Sequence, residues 1–537
     1  MRADFASMNR PRVLSVALPL LVLSFAMSSP VPAQAPADAG VESSVRAVGT
    51  PKKTAQRRRA PARTTRRTRT PVRTARAPAA VGPAWTSTRS AAELTNTLGS
   101  LMRSSSYAGQ WGVLVVSLTR GDTLYSENPD ALLKPASTMK LMTTALALEK
   151  FGPDHTFETK VLADRVARGV VDNLYLRGGG DPTLSLRFWQ GESPMDALAS
   201  QIAGSGIKQV RGDIIADESA FTVERIPYGW KSSYLMSSYA APVSALSLNE
   251  NIVWVVARPQ NGKAVVELDP PSTAIPITGS VRLVGGSGGR VVAHRTADGI
   301  TVSGVIGSSS GPRRYSLVVQ EPPTFAAGAL AASLQKAGVQ FAGQIRSGVA
   351  PAGANQVADV HSLPLANIVS YMNRESINHF AELLFRDAAR EDSRPGSAAA
   401  GLQELRNLLS TKAGARPGDI RVVDGSGLSE ADSLTARAMV QLLAYAHRAP
   451  WSSVFHASMP VAGESELLQR RMKYTPAQGN LHAKTGTTNT VSALAGYVTA
   501  LNGEVLAFSF IYNGRDHWNA KATMDRMGPT LANFYRP

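Results

Sequence analysis

The sequence predicts an α/β protein of the α+β kind, a helix-bearing body split by a mostly β insertion, and three observations carry that reading. A buried-type strand at Trp111 to Leu118 is followed by a turn at Gly121-Asp122, a second strand at Thr123 to Ser126 and an apolar helical run through Leu141 to Leu148. From about Lys160 to Gln320 the chain is rich in Val, Ile, Gly and Ser and carries few long helical patterns. Helical periodicity then returns at Phe325 to Ala337, Asn367 to Ala389, Gly401 to Thr411 and Ser433 to His447.

Taken in order, the N-terminus offers Arg2, Arg10 and Arg12, then the apolar run Val13 to Met27, then small residues and Pro, which is the order of a secretory leader over residues 1–35. The run is short for a membrane span. Ala33-Gln34-Ala35 has the shape of a cleavage site, with Val31-Pro32-Ala33 and Ala35-Pro36-Ala37 as competitors. Residues 36–84 follow as a basic Pro/Thr/Arg-rich linker. Its stretch from Lys52 to Arg76 holds eleven Lys or Arg and no acid, so of the formal charge of +17 only +6 belongs to the rest of the chain. That segment has too little apolar surface to fold, and its basicity belongs to a tether rather than to a nucleic-acid-binding face. In a cell envelope it could touch anionic polymers or lipid head groups. The chain has no cysteine, which excludes disulfides, thiol catalysis and Cys-ligated metals.

Ordered sequence is expected from Trp85, with Ala91 to Met102 as the first helix. The body's first part is set at 85–160, the insertion at 161–350 and the second part at 351–537. Strands in the insertion are expected at Val170 to Arg177, Ile207 to Ala216, Asn251 to Ala257, Ala264 to Leu268, Val281 to Val284, Arg290 to His294, Gly299 to Ile306 and Tyr315 to Gln320.

The chemistry begins at Lys134-Pro135-Ala136-Ser137-Thr138-Met139-Lys140. Pro135 disfavours helix before it, so Ser137 stands at a helix start, and Lys140 lies one turn on along the same face. A lysine held against apolar packing loses solvation and can act as a base toward that hydroxyl. Ser-x-x-Lys recurs at Ser205/Lys208 and Ser333/Lys336, but Ser205 sits between two glycines and Ser333 falls late in a helical stretch. A second group is Lys484-Thr485-Gly486-Thr487. Thr and Gly in an extended run let a backbone approach closely, and Lys supplies a point charge for a carboxylate. Such an edge strand can take an extended peptide by strand addition. Ser376-Ile377-Asn378 is the weakest of the three alone, since Ser-x-Asn also occurs at Ser126 and Ser247. Gly307-Ser308-Ser309-Ser310-Gly311 fits a nucleophile elbow, but Gly-Pro-Arg-Arg follows where a helix should start. The eight His show no His-Glu-x-x-His pairing.

In that order and spacing, Ser137-x-x-Lys140, Ser376-x-Asn378 and Lys484-Thr485-Gly486 are the three motifs of an active-serine penicillin-recognising site. With Leu176 to Leu184, Tyr239 to Asn251 and Asp424 to Ser429 added, the chain resembles the class C low-molecular-mass penicillin-binding proteins, the D-alanyl-D-alanine carboxypeptidase/endopeptidase family of the penicillin-binding protein 4 type. The 236 residues from Lys140 to Ser376 match that family, whose β-lactamase-like serine transpeptidase-type catalytic domain is interrupted by two smaller domains.

The resemblance implies a serine-type peptidase that acts on peptidoglycan stem peptides and is acylated by β-lactam antibiotics, and the secretory leader predicts a place in the periplasm, peripheral to the envelope. It implies Ser137 as nucleophile, Lys140 as its base, Ser376 as proton relay, Asn378 as an amide that orients the peptide, and Lys484 with Thr485 as the carboxylate site. Gly486 and Thr487 complete the substrate strand, with the N–H groups of Ser137 and Thr487 as oxyanion donors. No metal, organic cofactor or nucleic acid is implied. The alternatives are a serine β-lactamase and a non-catalytic peptidoglycan-binding envelope protein.

Overall fold

The computed structural model describes residues 90–104, 109–189, 191–391 and 393–537. The expected leader, its cleavage sites, the basic linker and the start of order at Trp85 lie outside the described residues.

The body is organised on one antiparallel sheet. Helix α1 (Ala91–Arg103) opens on Ser90, whose hydroxyl accepts the N–H of Glu93 at 3.2 Å, a cap that satisfies one of the free donors of the first turn. Strands β1 (Gln110–Ser117) and β2 (Thr123–Glu127) follow, and helix α2 (Met139–Phe151) comes next. After the inserted block come α3 (Leu365–Glu375), α4 (Asn378–Asp387), α5 (Ala398–Leu408) and α6 (Ala436–Ala446). Strands β3 (His482–Thr488), β4 (Val491–Thr499) and β5 (Val505–Asn513) and helix α7 (His517–Ala532) complete the chain.

The sheet order is β2-β1-β5-β4-β3, so β1 pairs with β5 from Gln110↔Asn513 to Ser117↔Leu506 and β3 lies at an edge. Successive side chains of a strand point to opposite faces. Val113, Val115, Phe508 and Phe510 therefore pack with α1 and α7, while Leu114, Ala507 and Ile511 pack with the helices of the other face. Burial on both faces explains why these strands read as continuous apolar runs. On the second face α2 is the central helix, and every residue from Met139 to Leu148 is buried, so its pattern lacks a polar side.

The inserted block closes on itself. Its first strand, Glu158–Ala163, pairs antiparallel with its last, Asn355–His361, in a five-stranded sheet that also takes in Leu174–Gly178, Ile214–Asp217 and Ile345–Ser347. The expected boundary 160/161 lies inside the first of these strands and 350/351 lies ahead of the last. Two three-stranded sheets, one of Ile252–Gln260, Lys263–Asp269 and Arg313–Val318 and one of Ile277–Val284, Val291–Thr296 and Gly299–Gly307, fill the middle.

Two helices pack together on the block's core: Pro194–Gly204, which was not expected, and Pro322–Lys336, which the helical spacing of Phe325 to Ala337 predicts. The first of these was legible: Ser193 caps the N–H of Asp196 and Pro194 stands at the first helical position. Two expected strands are each split by a turn, into Val170–Val171 and Leu174–Gly178, and into Gln209–Val210 and Ile214–Asp217. The Gly307 to Gly311 segment is a turn between two strands, with Ser310 Oγ donating to the Gly307 carbonyl.

Candidate active site

Ser137 does not open the helix directly. It occupies a 3₁₀ turn, Ala136–Thr138, that runs into α2 at Met139, and the turn is closed by Thr138 Oγ1 donating to the Pro135 carbonyl at 2.8 Å. Two glycines let the rest of the site close on this turn. A Cβ on Gly427, at φ +79°, would lie 2.0 Å from the Ala136 carbonyl oxygen, and one on Gly486 would lie 2.6 Å from that of Pro135. Both distances are shorter than contact allows, so the loop after Asp424 and strand β3 can approach the nucleophile only as glycine.

Lys140 is wholly buried, and its Nζ has three partners: Ser137 Oγ at 3.0 Å, Asn378 Oδ1 at 2.6 Å and the Ser426 carbonyl at 2.9 Å. Burial drives its pKa down to about 7, against the opposing pull of the Asp424 and Glu382 carboxylates. Lys140 can therefore lose its proton near neutral pH.

The expected single helix from Asn367 to Ala389 is broken at Ser376. That residue sits in the left-handed region at φ 62°, ψ 42°, between α3 and α4. A non-glycine residue held there costs about 1–3 kcal/mol, and the break aims the Ser376 hydroxyl at Lys484, whose Nζ donates to it at 2.9 Å. Asn378 begins α4. Its Oδ1 accepts from Lys140 and its Nδ2 donates to the Tyr239 carbonyl at 2.8 Å, so both ends of the amide are engaged inside the protein. In this structure Asn378 holds the lysine.

Lys484, on the edge strand β3, is also wholly buried; besides Ser376 its Nζ meets only its neighbour's carbonyl, that of Thr485, at 3.0 Å. Burial, and then the charge of Lys140, push its pKa well below the ordinary ammonium range. The two lysines share one low-dielectric region, and the carboxylates of Asp424 and Glu382 face Lys140 rather than Lys484. Thr485 and Gly486 are buried beside it and Thr487 is exposed on the same strand. The rival serines stand apart from all of this: Ser205 ends the helix Pro194–Gly204 and donates to the Ile202 carbonyl, and Ser333 is buried in the helix Pro322–Lys336.

The structure thus brings Ser137, Lys140 and Asn378 into one hydrogen-bonded chain and Ser376 with Lys484 into a second. The motif reading missed the other wall of the site: Ser426, whose carbonyl holds Lys140; Asp424, whose Oδ1 accepts the N–H of Ser426 and Gly427; and Glu382, whose Oε1 accepts those of Gly425 and Ser426. Asp-Gly-Ser-Gly carries the signal of an Asx turn, which could have marked that loop as built, though not as part of the site.

The profile of the D-Ala-D-Ala carboxypeptidase 3 (S13) family matches residues 95–534. The chain belongs to this family. Within the S13 family it is 35% identical over 453 residues to the D-alanyl-D-alanine carboxypeptidase of Actinomadura sp. (strain R39), covering 79% of this chain and 81% of that one. It is 26% identical to the D-alanyl-D-alanine carboxypeptidase DacB of Haemophilus influenzae over 75% of this chain and 85% of the relative. In fold it is similar to the crystal structure of penicillin binding protein 4 from Haemophilus influenzae, with a TM-score of 0.68 at 24% identity, covering 81% of this chain and 98% of that one. This S13 chain is a serine-type D-Ala-D-Ala carboxypeptidase, and its α/β fold is similar to that of the Haemophilus influenzae penicillin binding protein 4.

Proposed function

We propose that this carboxypeptidase trims peptidoglycan stem peptides through an ester on Ser137. The observation that supports this best is the buried Lys140 Nζ at 3.0 Å from Ser137 Oγ. Ser137 Oγ attacks the carbonyl of the penultimate D-Ala while its proton passes to the neutral amine of Lys140. The N–H groups of Ser137 and Thr487 stabilise the oxyanion, as the family resemblance implies; one such donor contributes about 3 kcal/mol to transition-state stability. The C–N bond then breaks, the leaving D-Ala amine takes a proton relayed through Ser376, and water hydrolyses the ester. A substrate carboxylate at Thr485 and Lys484 returns positive charge to Lys484, which in turn disfavours a second cation on Lys140 and holds the base neutral. The same ester chemistry makes the site a target for β-lactams, whose ring opening leaves the acyl group on Ser137.

Incubation with purified monomeric and cross-linked muropeptides, read by mass, tests this. Loss of one terminal D-Ala from monomers is the expected result, and conversion of cross-linked dimers to monomers would add endopeptidase activity. No change in either substrate overturns the reading. Rapid multiple turnover of penicillin, in place of a long-lived adduct, would point to a β-lactamase instead.

The leader-like start and the basic linker support a place in the periplasm, with the linker touching anionic envelope polymer. Deleting Lys52 to Arg76 should leave turnover of a small D-Ala-D-Ala peptide unchanged and lower binding to intact sacculi. Wild-type binding should already fall with salt, because exposed charges are screened over about 8–10 Å at physiological ionic strength. Equal sacculus binding with and without the segment would make it an inert spacer.

A further inference from the structure

Lys140 has three polar partners, and the inserted block braces two of them. Asn378 gives its free amide end, Nδ2, to the Tyr239 carbonyl at 2.8 Å. Ser426 presents its carbonyl from a loop gathered around the buried carboxylate of Asp424, which accepts the N–H groups of Ser426 at 3.1 Å, Gly427 at 2.6 Å and Ser429 at 2.8 Å. A side-chain donor to the same carboxylate is the indole N–H of Trp230, at 2.8 Å to Oδ2. Trp230 and Tyr239 belong to one segment, residues 218–240, which runs between the inserted strands Ile214–Asp217 and Ile252–Gln260.

That segment is fastened to the Asp424 loop along its length. Ser429 Oγ donates to the Tyr228 carbonyl at 2.8 Å, the Glu430 N–H donates to the Gly229 carbonyl at 3.3 Å, and Lys231 pairs with Glu430 at 2.5 Å. Gly229, at φ +81°, lies so near that a Cβ there would sit 2.3 Å from Ser429 Oγ. An insertion that merely hung from the body would not need such a seam at the partners of its base.

We propose that Trp230 is a positioning residue for the acylation step, acting through Asp424 on how tightly Lys140 holds its proton. The inference rests on Lys140 being the base for Ser137. The charged groups that face Lys140 are Asp424 and Glu382 on one side and Lys484 on the other; Glu382 is tied to Arg386 at 2.9 Å, and Asp432 stands behind Asp424. A donor on a carboxylate draws off part of its negative charge. Losing the indole N–H leaves the Asp424 carboxylate with its backbone donors alone and presents more negative charge to Lys140. The ammonium form gains, so the base becomes available only at higher pH. Replacing Asp424 by the neutral amide removes the charge and moves the same limb the other way. A role confined to shaping the loop would slow acylation alike at every pH.

The test is the rate of acylation of the full chain by a fluorescent penicillin, from about pH 5.5 to about 9. For Trp230→Phe the acidic limb should shift up by about half a pH unit, with acylation about threefold slower at pH 6 and a plateau close to wild type. For Asp424→Asn the limb should shift down. A Trp230→Phe profile that superimposes on wild type, or shifts of both variants in one direction, would overturn the proposal. A wild-type protein whose adduct is not on Ser137 would overturn the reading of the site itself, and this inference with it.

Discussion

Ser137→Ala is expected to abolish covalent labelling by a fluorescent penicillin, a loss limited only by the background of the assay. Among the described residues no other hydroxyl has the same combination of a 3₁₀ turn at a helix start and a buried amine at 3.0 Å. The fold should survive. The Ser137 side chain makes no capping bond to α2, and Lys140 keeps its bonds to Asn378 and to the Ser426 carbonyl when the hydroxyl is gone. The cost is therefore that of one ordinary hydrogen bond, about 1 kcal/mol, visible as a small change in thermal midpoint. Ser205→Ala and Ser333→Ala should label like wild type, because neither hydroxyl lies near a motif lysine in the fold. Full labelling of Ser137→Ala, or loss of labelling in either of the others, would show that the nucleophile is a different serine.

The second large effect separates the two buried lysines. Lys140→Arg should slow acylation by about 10²–10⁴-fold, the range a general base contributes, since a guanidinium does not deprotonate at any accessible pH. Lys484→Arg should keep measurable acylation with weakened binding of carboxylate-bearing substrates, because a cation is what that position offers a ligand. Crowding adds to its defect: Lys484 is fully buried, and forcing a longer side chain into such a place costs about 1–3 kcal/mol. Acylation rates of both variants from about pH 6 to about 10 decide the matter. In wild type the rate should climb through about pH 7, where Lys140 becomes neutral. If Lys140→Arg proves the faster of the two across that range, the lysines have each other's roles.

The part of this site that a reader of the sequence can find is the part whose signals are local. Pro135, Ser137 and Lys140 lie within six residues, and the start of a buried helix follows from them. Lys484-Thr485-Gly486 sits in a run that alternates as a strand, and it is found at the edge of the sheet. Ser376 is different. The helical spacing of apolar residues continues from Ile368 through Phe380, so nothing in the pattern announces a break; the left-handed turn is imposed by what surrounds it. The lowered pKa of Lys484 was equally illegible, since it depends on total burial and on the amine of Lys140. Trp230 and Asp424 are 194 residues apart in the chain and meet at 2.8 Å, a relation that only the closed insertion creates.

The pairing of β1 with β5 has a consequence for the timing of assembly. Residues 110–117 cannot complete their side of the sheet until residues 506–513 exist, and β4, which carries the Lys484 strand, is itself hydrogen-bonded to β5. Ser137 and Lys140 are made first, the Ser376 break later and Lys484 later still, yet the frame that draws them together waits for residues 506–513. Contacts between such distant segments carry a loop-closure cost that must be met before any of them stabilises the fold. Until that stretch is made, a growing polypeptide is therefore without a working hydrolase.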